Sequence, residues 1–152
     1  MKVARQRVIG GLTVKVKTAC GNMYVQMNWQ DGKIFEVFAT LGKSGFCSTS
    51  QSEALTRSIT VGLRSGVPIE EYIRQLKDIH CPSPMPFPKE EAVFSCADAL
   101  SRTLATYGHL SIDGVVKMLR KANRARAMSG PKEHKEQVVE LEKERDKIET
   151  DS

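Results

Sequence analysis

The dipeptide Asp31-Gly32 lies between two runs of alternating character, and it restricts the fold more than any other feature of the chain. Before it, Met23, Val25, Met27 and Trp29 alternate with Tyr24, Gln26 and Asn28. After it comes Ile34-Phe35-Glu36-Val37-Phe38-Ala39-Thr40-Leu41, rich in β-branched and aromatic residues. Alternation with period two sends successive side chains to opposite faces of a strand, and Asp-Gly supplies the left-handed backbone of a tight hairpin. The two runs are therefore expected to pair antiparallel. An earlier run, residues 7–19, sets Val8, Leu12, Val14 and Val16 against Arg7, Lys15 and Lys17, and reads as a further strand with one polar face. Gly10-Gly11 interrupts its start.

The period changes after Gly42. Ser50-Gln51-Ser52-Glu53 fits a capping box, and a helix is expected over residues 51–64, with Leu55, Ile59 and Leu63 on one face. Ser65-Gly66 ends it. Pro68 suits a first helical position, and Ile69, Tyr72, Ile73 and Leu76 keep the spacing of an amphipathic helix over residues 68–79. Four prolines between residues 82 and 88 make the next stretch an extended connector. Ser95-Cys96-Ala97-Asp98 opens a third helix, which Gly108 closes. Asp113 opens a fourth, running to about Met128. The expected fold class is α+β: a small antiparallel sheet packed on two or three helices, with a basic helix and a charged tail appended. The organisation reads as a domain over residues 1–110, a basic helical extension over 111–131, and a helical or disordered tail over 132–152.

The chain has 152 residues, enough to bury a core without disulfides or metals. No stretch approaches the roughly 20 apolar residues of a membrane span. The basic N-terminus lacks the apolar segment of a secretion signal, so a cytoplasmic protein is expected. The net charge of +5 is unevenly placed. Residues 112–131 carry five bases and one acid, whereas residues 132–152 carry five bases and eight acids. Lys117, Arg120, Lys121, Arg124 and Arg126 form the densest block. They suit contact with nucleic acid or a partner protein, but the plainer reading is a solvated helix face answered by the acidic tail.

Four cysteines, Cys20, Cys47, Cys81 and Cys96, sit at turns and helix starts, whereas a structural cysteine is usually a small buried hydrophobe. Thiolates suit Zn²⁺, but the gaps of 26, 33 and 14 residues lack the close pairs of a zinc knuckle. Spacing alone leaves open a metal site, with His80 as a substitute ligand, redox chemistry, or four unrelated thiols. Gly42-Lys43-Ser44-Gly45 precedes a helix, where Lys43, Ser44 and Gly45 could contact a phosphate, but Val37 stands where a P-loop needs glycine. Cys47 near a helix start, with His80 or His109 as base, is the thin case for nucleophilic catalysis. No paired-carboxylate or Ser/His/Asp pattern is legible, and a catalytic role is not expected. Tyr24, Trp29 and Phe38 suit either base stacking on an open sheet face or the core beneath it.

Several of these strings, in order, resemble the TSCPD domain family. They are Thr18-Ala19-Cys20-Gly21-Asn22-Met23-Tyr24-Val25, Phe35 to Gly45, Gly62-Leu63-Arg64-Ser65-Gly66-Val67, Gln75 to Pro82, and Ser95-Cys96-Ala97-Asp98. The family occurs near the C-terminus of adenosylcobalamin-dependent ribonucleotide reductases and as small stand-alone proteins with four characteristic cysteines. The likeness covers residues 12–107. The name-giving motif reads Phe94-Ser95-Cys96-Ala97-Asp98 here, without its proline. The resemblance implies one common site for Cys20, Cys47, Cys81 and Cys96, with structural zinc as cofactor. The chain is too short to be the reductase itself. The expectation is therefore a non-catalytic zinc-binding accessory module recognising a nucleotide, a nucleic acid or a partner protein such as the reductase. The alternatives are a thiol redox partner of a reductase, and a nucleic-acid or nucleotide-binding regulator, viral or cellular, with structural cysteines. A homo-oligomer fits the same pattern.

Overall fold

Among the described residues, three strands come first and four helices follow. The computed structural model describes residues 1–41, 47–85 and 92–129. Strands β1 (Gly10–Thr18), β2 (Gly21–Gln30) and β3 (Lys33–Leu41) form one antiparallel sheet in the order β1-β2-β3. Asp31 and Gly32 both take positive φ, 53° and 76°, as a type I′ turn requires. With helices α1 (Cys47–Arg64), α2 (Ile69–Leu76), α3 (Cys96–Tyr107) and α4 (Ile112–Met128), the architecture is α+β. The chain divides into two units, Met1–Ile112 and Asp113–Ser152.

In the first unit the alternation reads out directly. Leu12, Met23, Val25, Met27, Val37, Ala39 and Leu41 are buried on one sheet face. Gln26, Tyr24, Phe38, Lys15 and Lys17 lie on the other, exposed. The register shifts at Asn28/Trp29: Asn28 faces Glu36, but Trp29 faces Ile34, so Phe35 is an extra, bulged residue. Trp29 is buried, and its Nε1–H has no hydrogen-bond partner among the described residues.

Helix α1 packs against β3. It starts at Cys47, four residues before the expected start, and Ser50 is no cap: its hydroxyl donates to the Cys47 carbonyl at 3.0 Å. Glu53 pairs instead with Arg57 one turn on. The buried stripe runs through Ser52, Thr56, Ile59 and Thr60, while Leu55 and Leu63 are half-buried. Hydroxyls can line this core because they satisfy themselves on backbone. Thr56 donates to the Ser52 carbonyl at 2.9 Å, and Thr60 both accepts from the Val37 N–H and contacts its carbonyl, each at 2.9 Å. Thr60 thereby occupies ladder groups on the outer edge of β3, which would otherwise invite another strand.

Helix α2 is shorter than its hydrophobic period suggests. It stops at Leu76, and Asp78 turns left-handed with φ 59°. Helix α3 packs beside α2, tied by the Ser101 hydroxyl donating to the Ile73 carbonyl at 2.9 Å. Gly108 caps α3. Residues 1–6, which carry no regular structure, are also fixed. Val3 and Arg64 exchange backbone and guanidinium bonds, Gln30 bonds Ala4 and Gln6, and Arg5 reaches the buried Glu36 carboxylate at 3.0–3.1 Å.

The second unit is described over residues 113–129, all but the last within α4. Lys117, Arg120, Lys121, Arg124 and Arg126 are all exposed. At about 3.6 residues per turn the first four share one stripe, while Arg126 lies half a turn from Lys117. The basic block is thus a four-residue stripe plus one outlier.

Candidate thiol site

Cys20 occupies the two-residue tip of the β1–β2 hairpin, between Thr18 and Gly21, whose backbones pair. The Thr18 hydroxyl closes the tip by donating to the Gly21 carbonyl at 2.9 Å. Cys96 is the first residue of α3, directly after its N-cap Ser95. Cys81 and Cys96 are brought together by the chain between them. The Cys81 N–H donates to the Phe94 carbonyl at 3.0 Å, and Met85 and Val93 exchange both backbone bonds. Residues 86–91 lie outside the described residues, and the chain on either side of them is therefore pinned antiparallel.

The anchor of this arrangement is Asp98, which is fully buried. Its carboxylate accepts from the Asp78 N–H at 2.9 Å, the Phe94 N–H at 3.1 Å and Arg102 Nε at 2.8 Å, while its own N–H donates to Ser95 Oγ at 3.0 Å. One side chain thus joins the end of α2, the approach to α3 and the first turn of α3. Burial acts to raise its pKa, but the bonds from Phe94, Arg102 and Asp78 prevail and hold it below the ordinary carboxylate value. The Arg102 guanidinium also lies 5.5 Å from the Phe94 ring centre, and the His80 ring stacks on the same Phe94 ring at 4.3 Å. His80 Nδ1 contacts the Asp78 carbonyl at 2.9 Å, which requires the proton on that nitrogen.

Three of the four thiols are neighbours. Burial pushes the Cys96 thiol above the usual cysteine range. Cys20 adds to the rise by charge and by hydrogen bonding, Cys81 adds a smaller push, and Thr18 opposes it. Cys81 and Cys96 are half-buried and Cys20 is exposed. Cys47 is exposed at the start of α1, next to residues 42–46, which lie outside the described residues together with the expected phosphate contacts Lys43, Ser44 and Gly45. Among the described residues, no group of three or more His, Cys, Asp or Glu side chains is arranged as around a bound ion. The donor chemistry nonetheless suits a soft cation, because thiolate sulfur is the ligand type that Zn²⁺ and similar ions prefer.

Asp98 appears in the sequence only as a capping residue. Its carboxylate passes over Ser95 to reach Phe94 and Asp78, and no local spacing signals the second of these. A concavity of about 680 Å³ also escapes the sequence reading; it is lined by Lys33, Phe35, Arg64, Val67, His109 and Leu110 among others. Its main cation, Arg64, is engaged on the Val3 carbonyl and lies 5.1 Å over the Phe35 ring. His109 sits 3.4 Å from Glu70.

A sheet-and-helix domain with cysteines on a hairpin tip, a pinned segment and a helix start defines a small cysteine-bearing α+β class. The TSCPD domain model matches residues 1–108, and the chain belongs to that family. No solved structure matches the chain. Among the described residues no helix is long and apolar enough to cross a membrane.

Proposed function

We propose that this chain is a non-catalytic binding module whose hairpin and helix starts are fastened by zinc on cysteine thiolates. In this reading it is related to the tail domain of the adenosylcobalamin-dependent reductases, and it recognises a nucleotide, a nucleic acid or a partner protein. The observation that carries the reading is the hydrogen bond of Cys20 with the half-buried Cys96, with Cys81 near enough to act on the same sulfur by charge. Cys47 is the fourth donor that the family resemblance supplies. Zinc held by Cys20, Cys47, Cys81 and Cys96 would supply a structural cross-link, with no open position for substrate. The residues do the rest: Asp98 holds the Cys81 and Cys96 segments in place, and Thr18 shapes the tip that carries Cys20.

Metal analysis and native mass of reduced protein test this, with about one zinc per chain expected. Cys20→Ser and Cys96→Ser should each lose metal and melt at lower temperature. A metal-free preparation in which Cys20→Ser folds and melts like the parent sinks the reading. The redox alternative draws on the Cys20–Cys96 hydrogen bond, but a raised Cys96 pKa is the opposite of a reactive thiolate. Thiol titration separates the two: thiols released only by chelator support metal, whereas two fast-reacting thiols support redox. The regulator alternative draws on the exposed α4 stripe and predicts binding that charge reversal at Lys121 and Arg124 abolishes.

A further inference from the structure

The outward sheet face carries a pattern that the thiol site does not use. Its residues fall in rows set by the register. Lys17 faces Asn22; Lys15, Tyr24 and Thr40 form the next row; Thr13, Gln26 and Phe38 the next; and Gly11, Asn28 and Glu36 the last. Tyr24 and Phe38 are 39% and 40% exposed, each in the interior of its row or strand rather than at a turn. They stand on adjacent strands in successive same-face rows, about 7 Å apart along the strand. That is roughly twice the stacked-base rise of about 3.4 Å, so the two rings can take successive bases of an extended strand whose bases are drawn apart. Amide and hydroxyl groups of Gln26, Thr13 and Thr40 surround them.

The charge on this face is one-sided. Its one carboxylate in these rows, Glu36, is 2% exposed and neutralised by Arg5 at 3.0 Å. Lys15 and Lys17 project from the edge strand, and a shallow groove of about 440 Å³ opens beside them, lined also by Asn22 and Val93. Facing rings flanked by an edge of cations match a single strand of nucleic acid, bases on the rings and phosphates on the lysines. A duplex keeps its base faces hidden from such rings. A second copy of the chain would bring lysines against lysines.

We infer that the open face of the β1-β2-β3 sheet binds single-stranded nucleic acid, with Tyr24 and Phe38 as stacking platforms and Lys15 and Lys17 as phosphate contacts. The inference narrows the ligand class of the proposed module but does not depend on its metal.

Fluorescence anisotropy of a labelled oligothymidylate with the full chain tests it. Both aromatic side chains stand on the solvent side, and circular dichroism checks that each variant folds. Phe38→Ala and Tyr24→Ala should each weaken binding by about 5- to 100-fold, and Phe38→Trp should retain it. Phe38→Leu keeps an apolar side chain and should still lose affinity, because it cannot stack. Lys15→Gln and Lys17→Gln should each flatten the salt dependence by about 0.7 in slope. The inference is overturned by absent binding at low salt, by equal binding of duplex, or by a complex insensitive to Phe38→Ala and Tyr24→Ala but lost on charge reversal in α4. It is also overturned if Phe38→Ala dissolves a dimer without touching oligonucleotide binding. Zinc content measured on the same samples separates the two proposals: full metal without oligonucleotide binding defeats only the sheet platform, and binding without metal defeats only the zinc module.

Discussion

Asp98→Asn changes one atom of a fully buried side chain and should be costly. The carboxylate uses Oδ1 for the Asp78 N–H and Oδ2 for the Phe94 N–H and Arg102 Nε. An amide offers one acceptor oxygen. In its better orientation it keeps the two Oδ2 partners and turns its NH₂ toward the Asp78 N–H, donor against donor. One charge-assisted bond is lost, and the two that remain become neutral at the acceptor. At about 1.5–3 kcal/mol for a bond to a charged group, the net cost should be about 2–4 kcal/mol. That is a large fraction of the roughly 5–15 kcal/mol that holds a domain together. Urea unfolding at neutral pH measures it. The pH dependence supplies the sharper check. Because the folded-state pKa of Asp98 is depressed, its contribution is whole above its ordinary value of 3.8 and disappears as pH falls through the lower folded value. The gap between parent and variant should therefore hold steady from neutral pH toward 3.8 and narrow below it. The variant should also expose Cys81 and Cys96 to thiol reagents faster, since Asp98 holds the segments flanking both. A variant within about 0.5 kcal/mol of the parent at neutral pH, or a gap that does not narrow in acid, refutes the anchoring role.

Three other outcomes follow from the geometry. In the metal-free protein the folded state holds the Cys96 proton more tightly than the unfolded chain does. Thermal stability should therefore be intact below the ordinary value of 9.0 and fall as pH climbs through the raised one, a decline that Cys96→Ala removes. Thr60→Val should cost about 1–3 kcal/mol by orphaning the Val37 N–H, with Thr60→Ser close to the parent; equal melting of Val and Ser variants would count against the Thr60–Val37 bond. Gly62→Ala should destabilise because a Cβ there overlaps the Tyr72 hydroxyl, and pairing it with Tyr72→Phe should recover part of the loss in a double-mutant cycle; strict additivity would contradict the clash.

What local pattern determines was legible in the sequence. The hairpin at Asp31-Gly32, the inward and outward faces of β2, and the Ser95 cap of α3 all follow from period and turn chemistry. The misreadings came where hydroxyls or distant partners took over. Ser50 bonds back within α1 instead of capping it, and Thr56 and Thr60 fill a core stripe that an apolar count assigns to Leu55 and Leu63. Helix α2 ends early where Asp98, 20 residues away, takes the N–H of left-handed Asp78. For the site, the sequence marked every cysteine but not the approach of Cys81 to Cys96, because that depends on the Cys81–Phe94 and Met85–Val93 backbone bonds. The three aromatics parted for a similar reason: alternation puts Trp29 on the inward face and Tyr24 on the outward one, and the bulge at Phe35 lets Phe38 join Tyr24 outside.

The first six residues look dispensable, since every strand and helix begins after them. A chain trimmed to Gly10 would nevertheless strip the guanidinium from Glu36, whose pKa is held down by Arg5, Asn28 and Arg64 against the opposing pull of burial. With Arg5 gone, Asn28 and Arg64 alone oppose burial, and the depression of the Glu36 carboxyl shrinks. The intact chain gains stability from Glu36 as pH rises out of the acid range, and the trimmed one would gain less. This unadorned N-terminus therefore sets part of the fold's response to acid.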